Sequence, residues 1–67
     1  MQITTGNEIK AGRLMRNIAM QSLADRMGIP LGDLRVIEKS SLLPSQEIIN
    51  KACAVFNDFD NRHDQAA

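Results

Sequence analysis

The 67-residue chain is poor in aromatic residues, cysteine and histidine, and each shortage excludes a class of function. Its only aromatic residues are Phe56 and Phe59, and it has no Trp or Tyr. The stacking platforms that bind single-stranded nucleic acid are therefore missing. One cysteine, Cys53, and one histidine, His63, can build neither a disulfide framework nor a zinc site of histidine and cysteine ligands. We therefore expect no cofactor and no metal.

The sequence also lacks a long apolar run and a basic, then apolar, N-terminal signal. This predicts a cytoplasmic protein that does not bind membranes. A chain this short buries only about 60% of its unfolded surface, which allows one modest core. Cys53 lies in an apolar pattern and His63 in a polar tail, so no nucleophile–base pair is indicated and we expect no enzymatic activity.

An excess of charge of one sign is missing too, because eight basic residues balance eight acidic ones. The balance is uneven along the chain. Residues 1–56 hold seven basic and five acidic groups, whereas residues 57–67 hold one basic and three acidic groups. The helical domain thus carries a charge of +2 and the tail a charge of −2. This distribution permits DNA binding without favouring it strongly, so a protein partner is an alternative.

Capping signals begin and end the first two predicted helices. Thr5 and Glu8 have the spacing of a capping box, so a helix should begin there and end by Asn17, a residue that tolerates the left-handed conformation. The second helix should cover residues 20–27, since Gly28 is suited to ending it.

Two further helices follow. Pro30 should precede a helix over residues 31–39, and Ser45 should cap a helix whose apolar residues repeat every three to four positions. The predicted fold class is all-α, a compact bundle of four to five short helices. We expect an N-terminal arm (1–5), a helical domain (6–56) and an acidic tail or short fifth helix (57–67).

The second and third helices, joined by a tight turn at Gly28 with Ile29 at its corner, have the plan of a helix-turn-helix. The chain resembles the Cro/C1-type (XRE) helix-turn-helix family without a gap from residue 9 to residue 56. The residues that carry the resemblance are Ile9-Lys10-Ala11-Gly12-Arg13, Leu23-Ala24, Gly28-Ile29, Leu34, Ile37-Glu38 and Pro44-Ser45. It implies a lambda-repressor-like fold and a bacterial or phage transcriptional regulator, such as a repressor, that binds double-stranded DNA as a homodimer.

The resemblance also implies roles for individual residues. Arg13 and Glu38 match a structural ion pair that braces the recognition helix, residues 31–39. Arg35 and Lys39 would make polar contacts, and Leu31 would touch a thymine methyl. The full set of expected DNA contacts is Arg16, Leu31, Gly32, Asp33, Arg35, Val36, Lys39 and Ser41, of which Arg16 and Ser41 would bind phosphates.

Apolar residues at family positions that are often polar support an alternative. If Met20, Leu31, Leu42 and Leu43 form one exposed face, the domain is a protein-binding module, such as an anti-repressor or antiactivator that binds another regulator. Otherwise Leu42 and Leu43 fold back onto the fourth helix.

A dimer would double the number of DNA contacts, and its surface can be sought in the C-terminal apolar stripe. Val55, Phe56 and Phe59 are candidates for this surface, or else they belong to the core of a single domain.

Overall fold

A computed structural model describes the backbone of residues 3–66 and the side chains of residues 3–62. Within that part of the chain the fold is all-helical, as predicted, and consists of four helices without strands. The helices are α1 (Gly6–Met15), α2 (Met20–Met27), α3 (Leu31–Lys39) and α4 (Gln46–Ala66). The bounds of α2 and α3 are those expected from the sequence.

One hydrophobic core connects the four helices. Its largest fully buried side chains are Ile9, Leu23, Leu34 and Phe56, one from each helix. α3 packs against α1 and α2, and α2 also packs against α4. Removing apolar surface from water is the main favourable term in folding, so this shared core fixes how α2 and α3 are presented.

Most of the predicted helix ends are confirmed by backbone geometry. Asn17 and Gly28 have left-handed φ angles of 57° and 72°, and the N–H groups of Gly28 and Ile29 bond to carbonyls of the last turn of α2. The hydroxyl of Ser45 accepts a hydrogen bond of 3.3 Å from the N–H of Ile48. These ends depend on single residues, which is why local sequence predicts them.

The prediction that a capping box begins α1 is wrong, because its N-terminal N–H groups have other partners. The Thr5 side chain does not cap the helix, and the Glu8 carboxylate accepts bonds from the N–H and hydroxyl of Thr4 and from the hydroxyl of Thr5. The first N–H groups of α1 instead bond to carbonyls of the α3–α4 loop: Gly6 to Leu42 at 3.2 Å and Asn7 to Ser40 at 3.1 Å. A distant loop supplies the cap.

The two ends of the chain also differ from the prediction. Ile3 is 5% exposed and belongs to the core, so it anchors the start of the described chain, while Thr4 is exposed. Residues 1 and 2 of the predicted arm lie outside the described residues. At the other end residues 57–66 continue α4 and form neither a separate fifth helix nor an irregular tail. No glycine or proline interrupts this stretch, and contacts of Asp58 with Arg62 and of Asp60 with Arg16 support it.

The C-terminal apolar stripe is core and not an open dimer surface. Val55 is 8% exposed and Phe56 is fully buried within a single chain. Phe59 is half-buried and packs against the same core. The dimer surface expected at these three residues is therefore corrected: Phe56 and Phe59 pack into the core of a single chain, and Val55 exposes only a small part of its side chain.

Candidate functional site

α3, which follows α2 after a short turn, has one face open to solvent. Leu34 and Glu38 are buried and Leu31 and Ile37 are half-buried, because their spacing of three to four residues places them on the side facing α1 and α2. The outer face is exposed and consists of Gly32, Asp33, Arg35, Val36 and Lys39. Five of the eight residues expected to contact DNA thus lie together.

A buried ion pair braces α3 from behind. Arg13 Nε lies 2.9 Å from Glu38 Oε2, and Arg13 Nη2 lies 3.1 Å from Glu38 Oε1. Arg13 Nη1 donates a further bond of 3.0 Å to the carbonyl of Ile18. The pair links α1 to α3, and its two side chains, 8% and 2% exposed, lie inside the fold and not on the outer face of α3.

Arg35 and Lys39 lie one helical turn apart on the open face. Both are exposed, and neither forms a hydrogen bond or ion pair within the described part of the chain. Asp33 is exposed on the same face and is likewise unpaired there. The face therefore carries two available cations and one available anion.

Arg16 is not available as a phosphate contact, which corrects the prediction. Its guanidinium donates two hydrogen bonds to the carboxylate of Asp60, at 2.8 and 2.7 Å, and one of 2.8 Å to the carbonyl of Gly12. It also lies 4.6 Å from the centre of the Phe56 ring. With 13% of its side chain exposed, Arg16 joins α1 to α4.

The expected apolar face of four residues is not uniform. Met20 and Leu31 are half-buried and pack against the core, whereas Leu42 and Leu43 are 75% and 69% exposed. The idea that the two leucines fold back onto α4 is therefore wrong.

The α3–α4 loop is held by its backbone, with the exposed Ser41 within it. The Leu42 N–H donates to Ser40 Oγ at 3.0 Å, and the Leu42 carbonyl accepts from Gly6. These bonds fix the loop while leaving the Leu42 side chain in solvent. Val36 on α3, 70% exposed, adds a third open apolar side chain.

Sequence reasoning missed one exposed apolar pair, Leu14 and Met15, which are 57% and 83% exposed near the end of α1. Their exposure could have been predicted from helical spacing, because both lie off the side of α1 that carries the buried Ile9.

Two classes of site are not seen in the part of the chain that the structure describes. Residues 3–62 contain no cluster of His, Cys, Asp and Glu side chains that could hold a metal ion. The described helices include none that is apolar and long enough to span a membrane.

Comparisons of the chain with models of protein families, with curated proteins and with solved structures found no match. The resemblance to Cro/C1-type domains therefore depends on the sequence motifs alone.

Proposed function

We propose that the chain is a DNA-binding transcriptional regulator that places α3 in the major groove. The observation that carries this proposal is the open face of α3, on which Arg35 and Lys39 are exposed and unpaired among the described residues. Arginine and lysine are the side chains that most often bond to guanine edges, and both also bind phosphates. The buried Arg13–Glu38 pair would keep this face in one orientation.

The charge of the face limits the affinity. Each neutralised phosphate contributes a slope of about −0.9 to the dependence of log K on log salt concentration. Three basic residues were expected to contact DNA, and Arg16 is already paired with Asp60. Arg35 and Lys39 are therefore the two that remain available. We therefore expect weak binding with a shallow salt dependence, and specificity that owes much to DNA shape.

A mobility-shift assay with a random duplex pool at low salt tests the proposal. Arg35→Ala should weaken binding by about 1–3 kcal/mol and relax the selected sequence, because a base contact is lost. Lys39→Ala should weaken binding to all sequences and reduce the salt slope by about one if it binds a phosphate. Lys10→Ala, which removes one exposed positive charge from α1, is the matched control. Absence of binding, or equal binding by wild type and both α3 variants, would reject the proposal.

A protein-binding function is the second candidate, and the exposure of Val36, Leu42 and Leu43 favours it. Leu42 and Leu43 are adjacent in the chain, and neighbouring exposed apolar side chains can form the kind of patch that marks a protein interface. In this case a regulator captured from the native host should be lost with Leu42→Asp and retained with Leu14→Asp, a control at an exposed apolar position on α1. Capture that survives Leu42→Asp and Leu43→Asp would exclude this surface.

A further inference from the structure

A second surface lies on α4, away from the residues assigned to DNA. An open groove of about 480 Å³ is lined by Arg26, Lys51, Ala54, Val55, Asp58 and Arg62. All of these except Arg26 belong to α4, where steps of three and four residues place them in one stripe. Val55 is nearly buried and Ala54 is small and exposed, so the middle of the stripe allows another backbone to come close.

The charges along this stripe have a two-fold pattern. Glu47 lies one turn before Lys51 and extends the stripe, so its order is acid, base, two small apolar residues, acid, base. Positions 47 and 62 are equally far from the midpoint between Ala54 and Val55, and so are positions 51 and 58. Turned end to end, the stripe therefore places an acid opposite every base.

The charged side chains have room for a second partner. Lys51 Nζ lies 3.3 Å from Glu47 Oε1, and Arg62 Nε lies 3.2 Å from Asp58 Oδ2. The Glu47 and Asp58 side chains are 76% and 51% exposed. Since a carboxylate can accept about four hydrogen bonds, each can bond to a cation of another molecule without losing its own.

We propose that α4 is a self-association surface, on which a second copy of this chain docks antiparallel. Glu47 then faces Arg62 of the other copy, Lys51 faces Asp58 of the other copy, and the exposed Ala54 of each copy lies close to the two-fold axis, beside the largely buried Val55. Such a self-complementary patch is what a closed two-fold dimer requires. The proposal does not depend on DNA binding, because none of these residues belongs to the open face of α3.

Sedimentation over a concentration series at low salt tests the pairing. Wild type should show a monomer–dimer equilibrium that weakens as salt is added, because the pairs are exposed to solvent. Lys51→Glu places two acids opposite each other twice per dimer, and Asp58→Lys does the same with two bases. Each variant should raise the dimer Kd by about tenfold or more, whereas Lys10→Glu, a reversal outside the stripe, should not.

Mixing the two variants provides the decisive arm. In a heterodimer of K51E with D58K both contacts again join opposite charges, so an equimolar mixture should form dimers at concentrations at which each variant alone is mostly monomeric. This recovery would also show that both variants are folded. A wild type that stays monomeric up to about 1 mM, or a mixture without recovery, would overturn the proposal.

Arg26 separates self-association from the binding of an acidic ligand in the same groove. It lies on α2, outside the two-fold pattern, and has no ion-pair partner within the described residues. Arg26→Ala should leave the dimer intact but would weaken the binding of an acidic peptide such as oligoglutamate. Loss of self-association in this variant would contradict the antiparallel pairing.

A cysteine placed at the axis gives an independent geometric test. In a Cys53→Ala background, Ala54→Cys should form a disulfide-linked dimer under mild oxidation. Asn61→Cys should not, because antiparallel pairing separates the two copies of position 61 by roughly 20 Å along the axis, well beyond the reach of a disulfide. Cross-linking at 61 but not at 54 would overturn the pairing.

Discussion

The guanidinium of Arg13 on α1 holds the carboxylate of Glu38 on α3 in a bidentate ion pair that is almost fully buried. Arg13 donates a third bond to the carbonyl of Ile18. In the described part of the chain, every buried side-chain polar atom has a hydrogen-bond partner. Two charges placed in a core cost desolvation energy, which the pair offsets only while both members are present. α3 is therefore held against α1 by an interaction that fails if either residue is changed.

Arg13→Ala or Glu38→Ala should each lower the free energy of unfolding by about 3–5 kcal/mol, because the remaining charge is buried and unpaired. This is comparable with the whole stability of a domain of this size. Arg13→Met combined with Glu38→Leu should recover most of the loss. Urea unfolding followed by circular dichroism measures all three variants, and a double variant no more stable than the single ones would contradict this account.

Gly6→Ala should destabilise the fold by about 1–3 kcal/mol through overpacking. A methyl group at Gly6 would overlap the backbone carbonyl of Ile37 and crowd that of Ser40, and neither atom can rotate away. Gly32→Ala is the matched control, because a methyl group there meets nothing within 4 Å, and it should stabilise α3 by about 0.5–1 kcal/mol. Thermal unfolding of both variants would show opposite shifts. Equal shifts would mean that α1 does not approach α3 this closely.

Arg16→Ala should lower the free energy of unfolding by about 2 kcal/mol, since it removes charge-assisted bonds to Asp60 and the contact with Phe56. Arg62→Ala, which breaks an exposed pair with Asp58, should change stability by less than about 1 kcal/mol in dilute solution. DNA affinity per folded molecule should not change with Arg16→Ala. If Arg16→Ala weakened DNA binding without a matching loss of folded protein, Arg16 would be a phosphate contact after all.

Stability should depend on the ionisation of Glu8 in acid. The hydroxyl of Thr4 is the main cause that lowers the pKa of the Glu8 carboxyl below its ordinary value of 4.5, and the Thr4 N–H and Thr5 also lower it. Because the pKa is lower in the folded state, this contribution is present above pH 4.5 and is lost as the pH falls through the folded pKa. Glu8→Gln should remove this part of the pH dependence.

Thr4→Val should reduce the same pH dependence while leaving Glu8 ionisable. NMR titration of the Glu8 carboxyl carbon would report the pKa directly in wild type and variant. An unchanged pKa in Thr4→Val would show that another group stabilises the carboxylate.

Local signals in the sequence were sufficient to predict where α2 and α3 begin and end. Asn17 and Gly28 adopt the left-handed backbone that their residue types tolerate, and Ser45 caps α4 as expected. Arg35 and Lys39, expected to make polar contacts outside the fold, are exposed, as their position on a helix whose Leu34 faces the core requires. Each of these features depends on neighbours within about one helical turn, so it could be predicted without the fold.

The sequence by itself thus determined an all-helical fold and most of the helix ends, whereas the cap of α1 and the partners of several side chains were decided only by tertiary structure. Arg16 meets Asp60 because α1 lies beside α4, and Val55 and Phe56 are core because α2 covers them. The carbonyl of Leu42 caps α1 because the α3–α4 loop reaches Gly6. Such contacts join residues far apart along the chain, and no local periodicity specifies which pairs will meet when the helices pack.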